Sequence, residues 1–349
     1  MISKLDNLFS EYDGILITSP FNMQYFSKFS GGEGAVWISK NERIIFTDSR
    51  YTEQAEGEAL LFEVRETNNW LDEVALIIKE EKIKRILFED QSVSASVYLK
   101  MQNRFEKAKL FAGSDKLNRL RMVKTERELK TIAKAEQICC KAFSRILDFV
   151  KPGISEKEVA TELEYYMKQE GGEGTAFDTV AVSGARCSLP HGVPSDKRIE
   201  KGDFVTLDFG CMLDGYASDM TRTIVVGKAS EEQKKIYNAV KDAQHAGLDF
   251  IQAGVLAKDA DLAARSVIEK YGFGKYFRHS LGHGVGLLVH ELPNLSPKSE
   301  IILEENMVVS CEPGIYIPDF GGVRIEDLIC VKNNGNLNFT DTQKDLIEL

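Results

Sequence analysis

The sequence predicts a mixed α/β (α+β) architecture in two parts. A small α/β domain occupies residues 1–120, and a larger domain over 121–349 is built from two related halves. Two observations carry this expectation. In the first third, short apolar runs alternate with amphipathic helical stretches, the pattern of strands backed by helices. In the remainder, one helix–turn–helix segment recurs at a fixed offset, and a strand-rich segment bearing two carboxylates follows each copy.

Taken in order, GILIT, AVWIS, RIIFTD, LFEVRE and RILFED read as strands, with a helix around Trp70 to Lys82. Gly113-Ser114-Asp115 breaks the alternation and places the boundary near residue 120. From Thr125 to Val150 the chain opens with a T-x-x-E capping box and keeps helical spacing throughout. LDFVKPGISEKEVATELEYYMKQEG (147–171) then aligns with LDFIQAGVLAKDADLAARSVIEKYG (248–272) at an offset of 101. Leu147-Asp148-Phe149, Gly153, Lys157 and Gly171 all find identical partners. Behind the first copy VTLDFG reads as a buried strand, Asp214-Gly215 as a hairpin turn and YASDMTRTIVV as the returning strand. Behind the second, MVVSCEPGIYI and VRIEDLICV repeat that arrangement. The implied picture is two α/β halves about a pseudo-twofold axis.

Composition narrows the function classes. The chain has 349 residues and a formal net charge of −10. It contains no basic run to neutralise phosphates, which argues against nucleic acid as the main partner. No stretch approaches the roughly 18 apolar residues of a membrane span. The N-terminal segment lacks the apolar core and cleavage site of a signal peptide. Six cysteines without CxxC pairing read as reduced, buried residues of a cytoplasmic protein.

Chemistry concentrates between Val205 and Glu326, where Asp208, Asp219, His283, Glu312 and Glu326 each sit in a Gly-marked, otherwise apolar segment. They follow the repeat. Asp208 and Glu312 are 104 residues apart, Asp219 and Glu326 are 107 apart, and His191 and His290 are 99 apart. Carboxylates are rarely buried unless paired or bound to metal. Four of them converging with one imidazole would repel one another without cations between them. Oxygen-rich ligation with one nitrogen suits manganese, cobalt or a similar divalent ion, and four carboxylates suffice to bridge two. HELPN is not the HExxH of a zincin, since residue 294 is Asn.

At PHG (190–192), LDFG, SDMTRT, HSLGHGVGLLVHELP, EPGIY and GGVRIED the chain resembles the peptidase family of aminopeptidase P, prolidase and methionine aminopeptidase. NMQYFSKFSGG and FTDSRYTEQA extend the resemblance to the two-domain, proline-directed branch. That resemblance implies a creatinase-like N-terminal α/β domain followed by a pita-bread catalytic domain with the internal repeat. It implies that Asp208, Asp219, His283, Glu312 and Glu326 hold two divalent ions, manganese first with cobalt or zinc as alternatives. Asp219 and Glu326 would bridge them. Glu312 would also carry the proton, His191, His279 and His290 would surround the substrate, and Arg324 would order carboxylates from behind.

The implied substrates are peptides with proline at the second position, and the implied assembly is a homodimer. Prolidases of this family tend to place an arginine between the HE and EPG motifs. The segment ELPNLSPKSEIILEENMVVSC has only Lys298. The sequence therefore favours an Xaa-Pro aminopeptidase acting on longer peptides, with the Xaa-Pro dipeptidase as the alternative. Creatinase-like amidine hydrolysis and non-catalytic peptide binding are more remote, because relatives of those kinds lack the full ligand set.

Overall fold

Short apolar runs buried on both faces form the centre of the first unit. In the computed structural model, which describes residues 2–349, this unit ends at Arg121 and the second spans Met122–Leu349. Six strands of the first unit make one sheet, ordered Glu63–Glu66, Arg43–Thr47, Ala35–Ser39, Gly14–Ile17, Arg85–Phe88, Lys109–Ala112. The central strand Gly14–Ile17 runs antiparallel to Ala35–Ser39 and parallel to Arg85–Phe88. Ile15, Leu16, Val36 and Trp37 are fully buried, so these strands read as continuous apolar runs rather than as alternation. The edge strand Glu63–Glu66 (EVRE) is charged, which discourages pairing with a further chain.

The sixth strand and the helices Pro20–Ser27, Thr52–Glu58 and Ala95–Arg104 lie outside the elements expected from sequence. The reason is local. Helix Thr52–Glu58 buries only Ala55 and so presents no apolar stripe to recognise.

In the second unit two helical hairpins carry the repeat. Helix Glu126–Phe149 packs with Glu156–Gln169, and Glu231–Phe250 with Ala257–Lys270. Thr125 and Glu128 close the expected capping box at the first start, and Ser155 with Glu158 and Ser230 with Gln233 close two more. The matched turns at Gly153 and Gly254 share a left-handed backbone, with φ of 91° and 89°.

The strands behind each hairpin also correspond. Phe204–Phe209 pairs antiparallel with Met220–Val225 and with Val180–Ser183. Val308–Cys311 pairs antiparallel with Asp327–Lys332, inside a five-stranded sheet that includes Gly282–Gly284 and Glu291–Leu295. Asp214-Gly215 is a turn, but it closes the smaller hairpin Cys211–Leu213/Tyr216–Ala217 inserted between the two long strands. Gly314–Ile317/Gly321–Arg324 is the equivalent insertion in the second half. Fully buried Phe209, Leu207, Val309 and Ile329 contribute about 1.5–3 kcal/mol each to these cores. All six cysteines are free and buried. Among the described residues no helix is long and apolar enough to cross a membrane.

Candidate metal centre

Each half brings two carboxylates to the ends of its long strand pair. Asp208 lies opposite Thr221 across the pair, and Asp219 precedes Met220. In the second half Cys311 lies opposite Asp327, so Glu312 follows one strand and Glu326 precedes the other. His283 comes from the middle of Gly282–Gly284. The glycines flanking it admit the backbone rather than the ring. A Cβ at Gly282 would meet Ser310 O at 2.1 Å, and one at Gly284 would meet Leu292 O at 2.3 Å.

All five side chains line one cavity of about 640 Å³, together with His191, His279, His290 and Arg324. His283 Nε2 stands 3.1 Å from Glu312 Oε1 and 3.6 Å from Asp219 Oδ2. Ligand atoms of Asp219, His283 and Glu326 all lie within 4.8 Å of one another. His283 Nδ1 is 3.2 Å from Gly284 O, which can only accept, so Nδ1 carries a proton. Nε2 faces Glu312, which against burial raises the His283 pKa, and in the neutral ring the Nε2 lone pair would be offered to a cation. Ser310 Oγ donates to Glu312 Oε1 at 3.0 Å and accepts the His283 N–H at 3.1 Å.

Buried Arg324 donates to Asp208 Oδ2, to Tyr316 OH at 2.7 Å and to Thr221 Oγ1 at 3.0 Å. Thr221 Oγ1 in turn donates a hydrogen bond to Glu326 Oε2 at 2.7 Å. Glu326 Oε1 is buried with no hydrogen-bond partner. An unpartnered, buried carboxylate oxygen facing other carboxylates is what a cation would satisfy.

The electrostatics agree. Burial, then Glu326, Asp208 and Glu312 in turn, push Asp219 well above the ordinary carboxylate range. Glu326 is driven well up by burial, Glu312 and Asp208. Asp208 is raised by burial and by Glu312 despite the pull of Arg324. Burial opposes ionisation of Glu312 as well, but His283 and then His279 and Arg324 hold it at about 2. Four carboxyls at odds over their protons are a site built for positive charge. Oxygen-rich donors with one imidazole fit a hard or borderline divalent ion.

The three further histidines differ in their surroundings. His191 and His290 are exposed at the cavity. His290 stacks edge-on against His283 with ring centroids 4.2 Å apart, and burial together with His283 lowers its pKa. His279 has both nitrogens engaged, Nδ1 with Ser280 O at 2.8 Å and Nε2 with Tyr316 OH at 3.0 Å.

Sequence reasoning passed over Tyr316, Thr221 and Asn294. Asn294 lies directly across from His283 on the neighbouring strand and lines the cavity, whereas Lys298 is not among its lining residues. Glu136 was missed too, although it occupies the buried stripe of helix Glu126–Phe149. A carboxylate on such a stripe was the available signal.

Residues 130–333 match metallopeptidase family M24, and residues 3–123 match the Creatinase/Prolidase N-terminal domain. Over 336 residues the chain is 40% identical to the Xaa-Pro dipeptidase of Pyrococcus furiosus, covering 96% of this chain and 95% of that protein. A solved Xaa-Pro dipeptidase from Bacillus anthracis superposes with a TM-score of 0.96 at 44% identity, covering 100% of this chain and 99% of that one. An X-Pro aminopeptidase from Thermotoga maritima superposes with a TM-score of 0.90 at 39% identity, covering 97% and 98%.

Proposed function

Since the chain belongs to metallopeptidase family M24, with a pita-bread domain behind a creatinase-like N-terminal domain, we propose that it hydrolyses Xaa-Pro dipeptides using two divalent ions. The observation that carries the peptidase reading is the convergence of four carboxylates and His283 on one cavity, with Glu326 Oε1 left for a cation. Full-length similarity to Xaa-Pro dipeptidases supports the dipeptide as substrate. It outweighs the preference for longer peptides that the missing arginine suggested from sequence.

Aminopeptidase action is the second reading, and one feature favours it. Among the described residues lining the cavity, the only guanidinium or ammonium is that of Arg324, already engaged by Asp208 and Tyr316. Nothing cationic is thereby left to demand a free substrate carboxylate, and the Thermotoga maritima protein is of this kind by name.

Asp208, Asp219, His283, Glu312 and Glu326 would hold the ions, with manganese as the expected metal. When bound, such ions polarise the amide carbonyl and acidify water enough for attack near neutral pH. The chain's own residues then do the proton work. Glu312, which accepts a hydrogen bond from Ser310, takes a proton from the attacking water and returns it to the departing proline nitrogen. Neutral His290, with His191 at the same cavity, donates toward the developing oxyanion. His279, fixed at both nitrogens, orders Tyr316 and through it Arg324. A homodimer is part of this reading, checked by the mass in solution.

The test is turnover of Ala-Pro and of an Arg-Pro-Pro oligopeptide by metal-free and manganese-loaded protein, following the released first residue. Metal-dependent release from Ala-Pro alone supports the dipeptidase. Release from the oligopeptide at comparable kcat/KM moves the assignment to the aminopeptidase. No release from either, with two ions bound, overturns proline-directed cleavage.

A further inference from the structure

Asp219 is held by a carboxyl that none of this chemistry uses. Glu136 sits on the apolar stripe of helix Glu126–Phe149, between Ile132 and Cys139, with no solvent exposure. Its Oε2 accepts the backbone N–H of Asp219 at 3.3 Å, and its Oε1 accepts the hydroxyl of Thr340 at 2.6 Å. Thr340 Oγ1 in turn accepts the N–H of Leu328 at 2.9 Å, two residues beyond Glu326. One carboxyl thus ties together a helix, the Asp219 segment and the C-terminal segment that also braces the Glu326 strand.

Just past Thr340 the chain is itself anchored. The carbonyls of Thr342 and Gln343 accept from Arg222, and Lys344 Nζ lies 2.6 Å from Asp327 Oδ2. A buried carboxyl within an apolar stripe is destabilising unless its hydrogen bonds do something that a leucine could not. Here those bonds end on the backbone of a residue that carries one of the four converging carboxylates.

We propose that Glu136, braced by Thr340, is a positioning residue for Asp219 and thereby sets the affinity of the centre for its ions. The inference rests on the reading of Asp219 as a ligand and is independent of which peptide is cut. Outer hydrogen-bond partners of ligands typically change metal affinity by about 10–100-fold.

The experiment measures manganese affinity of the metal-free, full-length protein by competition with a fluorescent chelator, alongside the thermal midpoint without metal. Thr340→Val and Glu136→Met are expected to weaken binding by about 10–100-fold. Glu136→Gln is expected to stay within about threefold of wild type, because its carbonyl still meets the Asp219 N–H and its amide meets the Thr340 hydroxyl. Thr340→Val leaves the helix stripe untouched and keeps the test valid where Glu136→Met fails to fold. Affinities within about threefold of wild type for both Thr340→Val and Glu136→Met, whatever their thermal midpoints, would reduce Glu136 to packing and overturn the proposal. So would a Glu136→Gln protein as weak as Glu136→Met. A wild-type protein that takes up no ion overturns the metal reading along with it, whereas normal uptake by every variant sinks this inference alone.

Discussion

Replacing Arg222 by methionine tests how the floor of the metal centre is held. The guanidinium is 1% exposed and donates to Thr221 O at 2.9 Å, to Glu326 O, to Asp327 Oδ1 at 2.8 Å, and to Thr342 O and Gln343 O at 3.2 Å each. It therefore joins both repeat halves and the C-terminal segment at one point. Burial would raise Asp327, yet Arg222 and Lys344 hold it below the ordinary carboxylate range. Removing one partner of a buried pair costs about 3–5 kcal/mol. Lys344 and Asn338 remain on Asp327 Oδ2, which puts the expectation toward the lower end. With a urea m-value of about 2–3 kcal/mol/M, the midpoint should fall by roughly 1–2 M.

The assay is urea unfolding of chelator-treated protein, since a bound ion adds its own stabilisation. Both tryptophans, Trp37 and Trp70, lie in the first unit, so their fluorescence follows that unit while far-ultraviolet circular dichroism follows both. The double variant Arg222→Met/Asp327→Asn removes the stranded charge. It should recover more than about 1 kcal/mol relative to the sum of the single changes. A loss below about 1 kcal/mol for Arg222→Met, or strict additivity in the double variant, would refute the argument.

Three further outcomes follow from the site. Glu312→Gln keeps the shape of the side chain but removes its proton capacity, and in protein shown to retain its ions kcat should drop by about 10²–10⁴-fold; steady-state kinetics on Ala-Pro at saturating manganese decides it. Asn294→Arg places a guanidinium across from His283 in the cavity wall, and a bidentate partner for a free carboxylate should lower KM for Ala-Pro by about tenfold relative to the oligopeptide. An unchanged ratio would remove Asn294 from the specificity argument. In metal-free protein, Asp219 and Glu326 titrate above their unfolded values, so the folded state holds the extra protons between the two pKa values and loses stability as pH rises. The gap in thermal midpoint between manganese-loaded and metal-free protein should widen from about pH 5 to about pH 8, because protons and metal compete for the same oxygens. A gap that narrows over that range contradicts the reading.

The sequence by itself determined which residue types meet and in what order. Asp208, Asp219, His283, Glu312 and Glu326 stand out because charge inside apolar, Gly-marked runs is costly without a partner, a property of composition and spacing alone. The repeat was legible for a similar reason, since helix caps, turn glycines and buried strands are local signals that recur when a half recurs. Five of the first unit's strands were read from the same cues, whereas the sixth strand and short helices such as Thr52–Glu58 were not, because a stripe that buries one alanine carries too little apolar contrast. Only the tertiary structure decided who faces whom. Periodicity shows that Glu136 lies on a buried stripe, but not that its oxygens reach Asp219 and Thr340, more than 80 and 200 residues away. Pairing decided that Asn294 rather than Lys298 shares a wall with His283, because Asn294 lies opposite it within Glu291–Leu295 whereas Lys298 lies beyond that strand's end. The five acceptors around Arg222 are four backbone carbonyls and one carboxylate gathered from both halves, and backbone carbonyls leave no mark in a sequence.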